Sequence, residues 1–190
     1  MDLIVLFFSA AIINNFVLTY FLGICPFIGV SHHLSPAISL GLATVFVMSI
    51  TSVVSWLIYN HVLIPYELQF LQIPAFILVI ASLVHLVEMF VRKASATLYR
   101  SLGIYLPLIT TNCAIMGVAF FLTKRQYSLE QSVVFGLGAG AGFTLALTLM
   151  ASIREELNLA DVPAPFRGAP ITLLVAGILA MAFMGFTGIE

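Results

Sequence analysis

Charge is what this chain has least of. Only 8% of its 190 residues are Asp, Glu, Lys or Arg, against 62% that are hydrophobic. Soluble domains carry about 25% charged residues. A surface this apolar needs lipid and neighbouring subunits as its solvent, not water. Between Leu3 and Tyr66 there is no Asp, Glu, Lys or Arg at all. With a net charge of −1, nothing suggests nucleic-acid binding. A basic n-region and a small-residue cleavage site are both missing after Met1-Asp2-Leu3, so the first apolar run is expected to be a retained span rather than a signal peptide. Cysteine is scarce too. Cys25 and Cys113 are the only two. That excludes a disulfide-rich scaffold, and any four-ligand metal site would need ligands from elsewhere.

What is present is a succession of charge-free runs of spanning length. About 20 apolar residues cross a hydrocarbon core of about 30 Å. The runs predict an all-α membrane protein with six transmembrane helices in one domain covering residues 1–190. The expected spans are Leu3–Gly29, Pro36–Tyr59, Leu68–Val87, Ser101–Thr123, Gln131–Ile153 and Ala169–Ile189. The loops after the first, third and fifth hold Arg92, Lys93, Arg100, Arg154 and Arg167. The other side holds only Lys124 and Arg125, with Asp2, Glu67, Glu130 and Glu190 nearby. Positive charge marks the cytoplasmic face, so both termini are expected on the outer side.

The chain also repeats. Cys25-Pro26-Phe27-Ile28-Gly29-Val30 is echoed by Cys113-Ala114-Ile115-Met116-Gly117-Val118. Gly41-Leu42-Ala43 is echoed by Gly136-Leu137-Gly138, and Pro74 with Leu78-Val79 by Pro170 with Leu174-Val175. The order is kept, which predicts two three-helix halves, about 1–93 and 97–190. Because three is odd, the second half enters from the opposite face. That is an inverted-topology repeat.

Polar residues inside the spans are the candidates for chemistry. Leu3 to Ser31 would measure roughly 43 Å as one helix at about 1.5 Å per residue, too long for the core. Gly23-Ile24-Cys25-Pro26 predicts a break near Cys25, because proline clashes with the helix carbonyl four residues back. Asn14-Asn15 puts two amides in the same run. Pro107 and Thr110-Thr111-Asn112-Cys113 predict a second break near Cys113. Irregular backbone at membrane depth needs a covering of protein or a lined cavity. Its freed amides suit a buried anion or an iron–sulfur cluster, whose sulfurs accept hydrogen bonds. Equally, the cysteines suit ordinary helix packing, with a disulfide as a third reading.

Other features have plainer readings. Gly136, Gly138, Gly140 and Gly142 form two interleaved GxxxG pairs, which permit close helix contact; a phosphate loop would need a preceding strand and a lysine. Glu88, near Arg92 and Lys93, is read as a solvated or paired interfacial charge rather than an ion site. His85 is read as a packed polar residue. His32-His33 lies in a loop, with metal binding a minor possibility. Asp161-Val162-Pro163-Ala164-Pro165-Phe166-Arg167-Gly168 is a loop stiffened by two prolines, able to dock a partner.

Three stretches carry a family resemblance. Phe21-Leu22-Gly23-Ile24-Cys25-Pro26-Phe27, Leu106-Pro107-Leu108-Ile109-Thr110-Thr111-Asn112-Cys113-Ala114 and the Asp161–Gly168 loop closely resemble the RnfA family of the Rnf electron-transport complex. More loosely, the chain is similar to the E subunit of the sodium-translocating NADH:quinone reductase. The likeness runs over essentially the whole chain. It implies a multi-pass subunit of the bacterial inner membrane, with both termini periplasmic. The implied complex couples electron flow between ferredoxin and NAD to sodium or proton transport. This chain would be part of a translocase-type oxidoreductase, with no complete active site of its own. The resemblance also implies that Cys25 and Cys113 are iron ligands of one [2Fe-2S] cluster shared with the homologous, oppositely oriented E subunit. Flavins and further iron–sulfur clusters belong to other subunits, among the B, C, D and G partners. The competing classes are a redox-free secondary ion transporter on the same repeat and a structural scaffold subunit.

Overall fold

The computed structural model describes residues 3–66, 69–94, 109 and 111–185. Among them every regular element is helical. The order is α1 (Leu3–Phe8), a π-helical turn (Ser9–Ile13), a break, α2 (Ile24–Val30), α3 (Leu34–Ile58), α4 (Gln72–Ala94), α5 (Cys113–Lys124), α6 (Leu129–Leu159) and α7 (Ala169–Met184). Among the described residues, three helices are long and apolar enough to span a bilayer: α3 with its π-helical extension to Leu63, α4 over Gln72–Met89, and α6. The expected fourth span is described only from Ile109 onward. Ser101, Pro107, Thr110 and Arg100 lie outside the described residues, as does the end of the last expected span.

The centre of the fold is α3 packed along α6. Their contact is close because α6 presents glycine where α3 approaches. A Cβ added at Gly140 would lie 2.8 Å from Val45 Cα, and one at Gly136 would collide with the Ser52 side chain. The alternate pair faces another way. A Cβ at Gly138 would lie 2.8 Å from the Phe7 carbonyl oxygen, and one at Gly142 would strike the carbonyl of Ala11. One interleaved glycine set therefore seats α3 and the other seats α1 with its π turn, as the GxxxG reading expects. Phe16, Phe143, Met48, Ile115, Leu147 and Met150 fill the space around them and are almost completely buried.

Local sequence explains the helix ends. Ser128 accepts a hydrogen bond from the Gln131 amide, while the Gln131 side chain accepts from the Ser128 amide. This reciprocal cap starts α6. Gly168, at φ 92, turns the chain into α7, with Pro170 in its first turn. The expected fifth span stops at Ile153, but α6 runs on to Leu159. The extra turns carry Arg154 and Glu155 into contacts with other helices instead of a loop.

Candidate functional site

The first broken span is interrupted earlier than the proline suggests. The non-helical stretch is Asn14–Gly23, and Pro26 sits in the first turn of α2. No intrahelical hydrogen bond is due from the first amides of a helix, so proline costs little there. What breaks the span is Asn15, which is fully buried. Its amide nitrogen donates to the Ala11 carbonyl at 3.2 Å and to the Gly142 carbonyl at 2.8 Å. Its Oδ1 accepts from the Val17 amide at 3.0 Å and the Leu18 amide at 3.4 Å. One side chain thus bonds the π turn before the break and the backbone within it, and ties both to α6. Phe21, at φ 55, and Gly23, at φ 84, complete the turn into α2.

The two cysteine motifs meet at this turn. The Gly23 amide donates to Cys113 Sγ at 2.8 Å. Gly23 is required as a glycine twice over, by its positive φ and because a Cβ would lie 2.8 Å from the Phe143 ring and 3.2 Å from Asn112 Oδ1. Cys25 occupies the second position of α2, and Cys113 the first of α5. Both thiols are free. Cys25 is exposed and Cys113 partly so. Helix N-termini favour anionic groups. An exposed thiol on a half-helix of an apolar span faces either lipid or another chain.

Asn112 caps α5. Its Oδ1 accepts from the Ala114 amide at 3.0 Å. Its Nδ2 is buried and has no hydrogen-bond partner among the described residues. A buried amide donor without an acceptor is costly, and it lies beside Cys113. This is the chemistry a sulfur cluster accepts. Two free thiols, a peptide N–H already on one sulfur and a spare amide donor fit such a group.

The remaining sequence candidates fall elsewhere. No group of three or more His, Cys, Asp or Glu able to hold a metal occurs among the described residues. His32 Nδ1 lies 2.9 Å from Arg154 Nη2. A guanidinium only donates, so this nitrogen is an acceptor occupied by a cation, which opposes a metal there. Burial of the ring, then Arg154 and His33, lower the pKa of His32. His85 is exposed, not packed, and its Nδ1 lies 3.5 Å from Glu88 Oε2. Arg167 reaches back to the Val162 carbonyl at 3.0 Å, with Asp161 at 3.9 Å.

Sequence reasoning missed Arg154. Expected in a loop, it is instead only 7% exposed. Its Nη1 donates to the Ile28 carbonyl and to Ser31 Oγ, both at 2.8 Å. A cation there complements the C-terminus of α2. Its neighbour Glu155 accepts from the Leu34 amide at 3.0 Å, at the start of α3. The adjacent pair clasps the end of one helix and the beginning of the next. The only signal in the sequence is that a charged pair directly follows an apolar run.

Fold and site together define a polytopic α-helical membrane protein in which two cysteine-bearing half-helices converge. The chain belongs to the Rnf-Nqr family: the model described as "Rnf-Nqr subunit, membrane protein" matches residues 3–190. It is 55% identical over 188 residues to the A subunit of the ion-translocating oxidoreductase complex of Actinobacillus pleuropneumoniae serotype 5b (strain L20), covering 99% of this chain and 97% of the relative. Proteins of the same name from Syntrophotalea carbinolica and Pseudoalteromonas translucida are 54% and 53% identical over the same shares.

Proposed function

We propose that this chain is a membrane subunit of an ion-translocating Rnf-type oxidoreductase, and that it carries electrons across the bilayer through a [2Fe-2S] cluster shared with the homologous E subunit. Cys25 and Cys113 supply two of its four ligands. The observation that carries the reading is the meeting of the cysteine motifs, with the Gly23 amide on Cys113 Sγ and the spare Asn112 amide beside it. When bound, the cluster supplies a one-electron relay between the two faces of the membrane. The chain's own residues hold and tune it. The first turns of α2 and α5 present both thiolates to helix N-termini, where negative charge is favoured. The Gly23 amide donates to Cys113 Sγ, and the Asn112 amide would donate to a sulfur of the bound cluster; such hydrogen bonds would stabilise the more negative reduced state and raise the potential. Exposed Cys25 faces the partner.

The helices α2–α3–α4 and α5–α6–α7 each run as a cysteine-bearing half-helix, a long helix and a third helix. This order supports two inverted halves, about 1–93 and 97–190, with Arg154 and Arg167 on the cytoplasmic side of the bacterial inner membrane. In this reading the complex couples the electron flow to sodium or proton transport. The test is Cys25→Ser in this chain co-expressed with its E-type partner. The paramagnetic signal of the cluster should disappear and iron content should fall. An unchanged signal in anaerobic preparations overturns the ligand assignment.

A further inference from the structure

Arg154 carries a charge that nothing among the described residues balances. It is only 7% exposed. Its Nη1 serves the Ile28 carbonyl and Ser31 Oγ, and its Nη2 lies 2.9 Å and 3.3 Å from the two ring nitrogens of His32. A carbonyl, a hydroxyl and a neutral imidazole bring no opposite charge. The ion pairs among the described residues join His85 to Glu88 and Arg167 to Asp161, and Arg154 is in neither. The adjacent carboxylate, on Glu155, accepts from the Leu34 amide instead. Burying an unpaired cation is costly, and a neutral amide donor would cap the end of α2 as well. The clasp accounts for the donors of Arg154 but not for its charge.

Its place in the fold relates that charge to Cys25. Ile28 follows Cys25 by three residues on α2, about 4.5 Å along the axis. Adding the carbonyl and its 2.8 Å hydrogen bond puts the guanidinium about 10 Å from the Cys25 backbone. The helix between them is short, Ile24–Val30. It is tied at its start by the Gly23 amide on Cys113 Sγ and at its end by Arg154. The cation and the thiol are thus held on one helix. Phe27 and Val30 of that helix are 1% exposed, so salt screens the cation little. At about 10 Å and an effective dielectric of about 20, a unit charge changes a one-electron equilibrium about 15-fold. Each thiolate ligand brings a negative charge, and reduction adds one more. A fixed cation favours the more negative state.

We propose that Arg154 tunes the electron relay, its unbalanced charge raising the reduction potential of the group held on Cys25. Arg154 is a positioning and tuning residue, not a ligand, and the inference rests on the shared-cluster reading. The test is a redox titration followed by paramagnetic resonance, on the intact complex with its E-type partner, at about pH 8, where an ordinary histidine is neutral. Arg154→Gln keeps an amide donor and removes the charge. It should lower the midpoint potential by about 70 mV, which is 15-fold at about 59 mV per decade for one electron. Arg154→Lys keeps the charge and should restore the potential. His32 offers a second pair, since it lies at the surface beside the guanidinium. His32→Asp balances the charge and leaves the bonds to Ile28 and Ser31 in place, so it too should lower the potential. His32→Asn makes a similar truncation without charge and should not. Equal potentials in the Asp and Asn variants overturn the tuning role, even if the Arg154 variants fail to assemble. A fall in Arg154→Gln that Arg154→Lys does not restore also overturns it, in favour of geometry alone. Failure of the cluster reading looks different: the signal is absent from the unaltered complex, or survives Cys25→Ser.

Discussion

Asn15 and Asn112 are both buried asparagines at a helix break, and they use their amides in opposite ways. Asn15 has protein partners for both its donor and its acceptor, drawn from the π turn before the break, the backbone within it and α6. Asn112 caps α5 with its oxygen and keeps its nitrogen unpaired among the described residues. The first is closed by the chain's own backbone. The second holds a donor in reserve beside Cys113. A break made only to bend a helix has no need of the second arrangement. The contrast separates an interruption closed by the chain itself from one that leaves a buried donor unpaired among the described residues.

The comparison can be broken by mutation. Asn15→Leu removes the bridging amide and leaves several buried backbone groups unpaired, each costing about 1–3 kcal/mol. Thermal unfolding should show a loss of about 3–5 kcal/mol; a loss below about 1 kcal/mol means that Asn15 does not hold the break. Arg154→Met tests the other end of α2. It strips the Ile28 carbonyl and Ser31 of a charged donor, for a cost of about 2–3 kcal/mol in the same assay. Asn112→Ala should cost only about 1 kcal/mol, the value of a helix cap. Asn112→Ser keeps a capping oxygen and should recover that stability. Both Asn112 variants should lower the midpoint potential of the cluster in a spectroscopically monitored titration. If the potential does not move, Asn112 is a cap and nothing more.

The smallest effect is the pH dependence at His32. Its folded pKa lies below the ordinary value of about 6.5, chiefly through burial and then through Arg154. The unfolded chain therefore binds a proton that the folded site resists. This contribution is fully present above about pH 6.5, declines as pH falls below it, and levels off below the folded value. His32→Gln should flatten that stretch of the stability curve. Unchanged pH dependence removes His32 from the account.

Much of the fold is legible in the sequence because its signals are local. The charge-free runs mark α3, α4 and α6, and the i, i+4 spacing of Gly136 with Gly140 and of Gly138 with Gly142 announces two close-packed faces. The break in the first span is legible in kind but misplaced in cause. Pro26 has the chemistry of a breaker, yet proline's penalty depends on where the helix begins. That point is set by Asn15 reaching Gly142, far away in the chain. Arg154 reads as a loop charge because its partners, Ile28 and Ser31, also lie far away in sequence. His85 reads as a packed residue but is exposed and pairs with Glu88 one turn on, because which face of α4 is covered depends on the packing of other helices.

The amino-acid sequence alone determined a lipid-solvated helical chain, two polar breaks and a cysteine beside each, because apolar length and charge spacing act residue by residue. Only the tertiary structure decided that the Gly23 amide meets Cys113 Sγ, that Asn15 is satisfied while Asn112 Nδ2 is unpaired among the described residues, and that Arg154 is a buried clasp. Those outcomes depend on which distant carbonyls, amides and sulfurs the packing of α6 against α1, α2 and α3 brings within about 3 Å, a distance that no local pattern encodes.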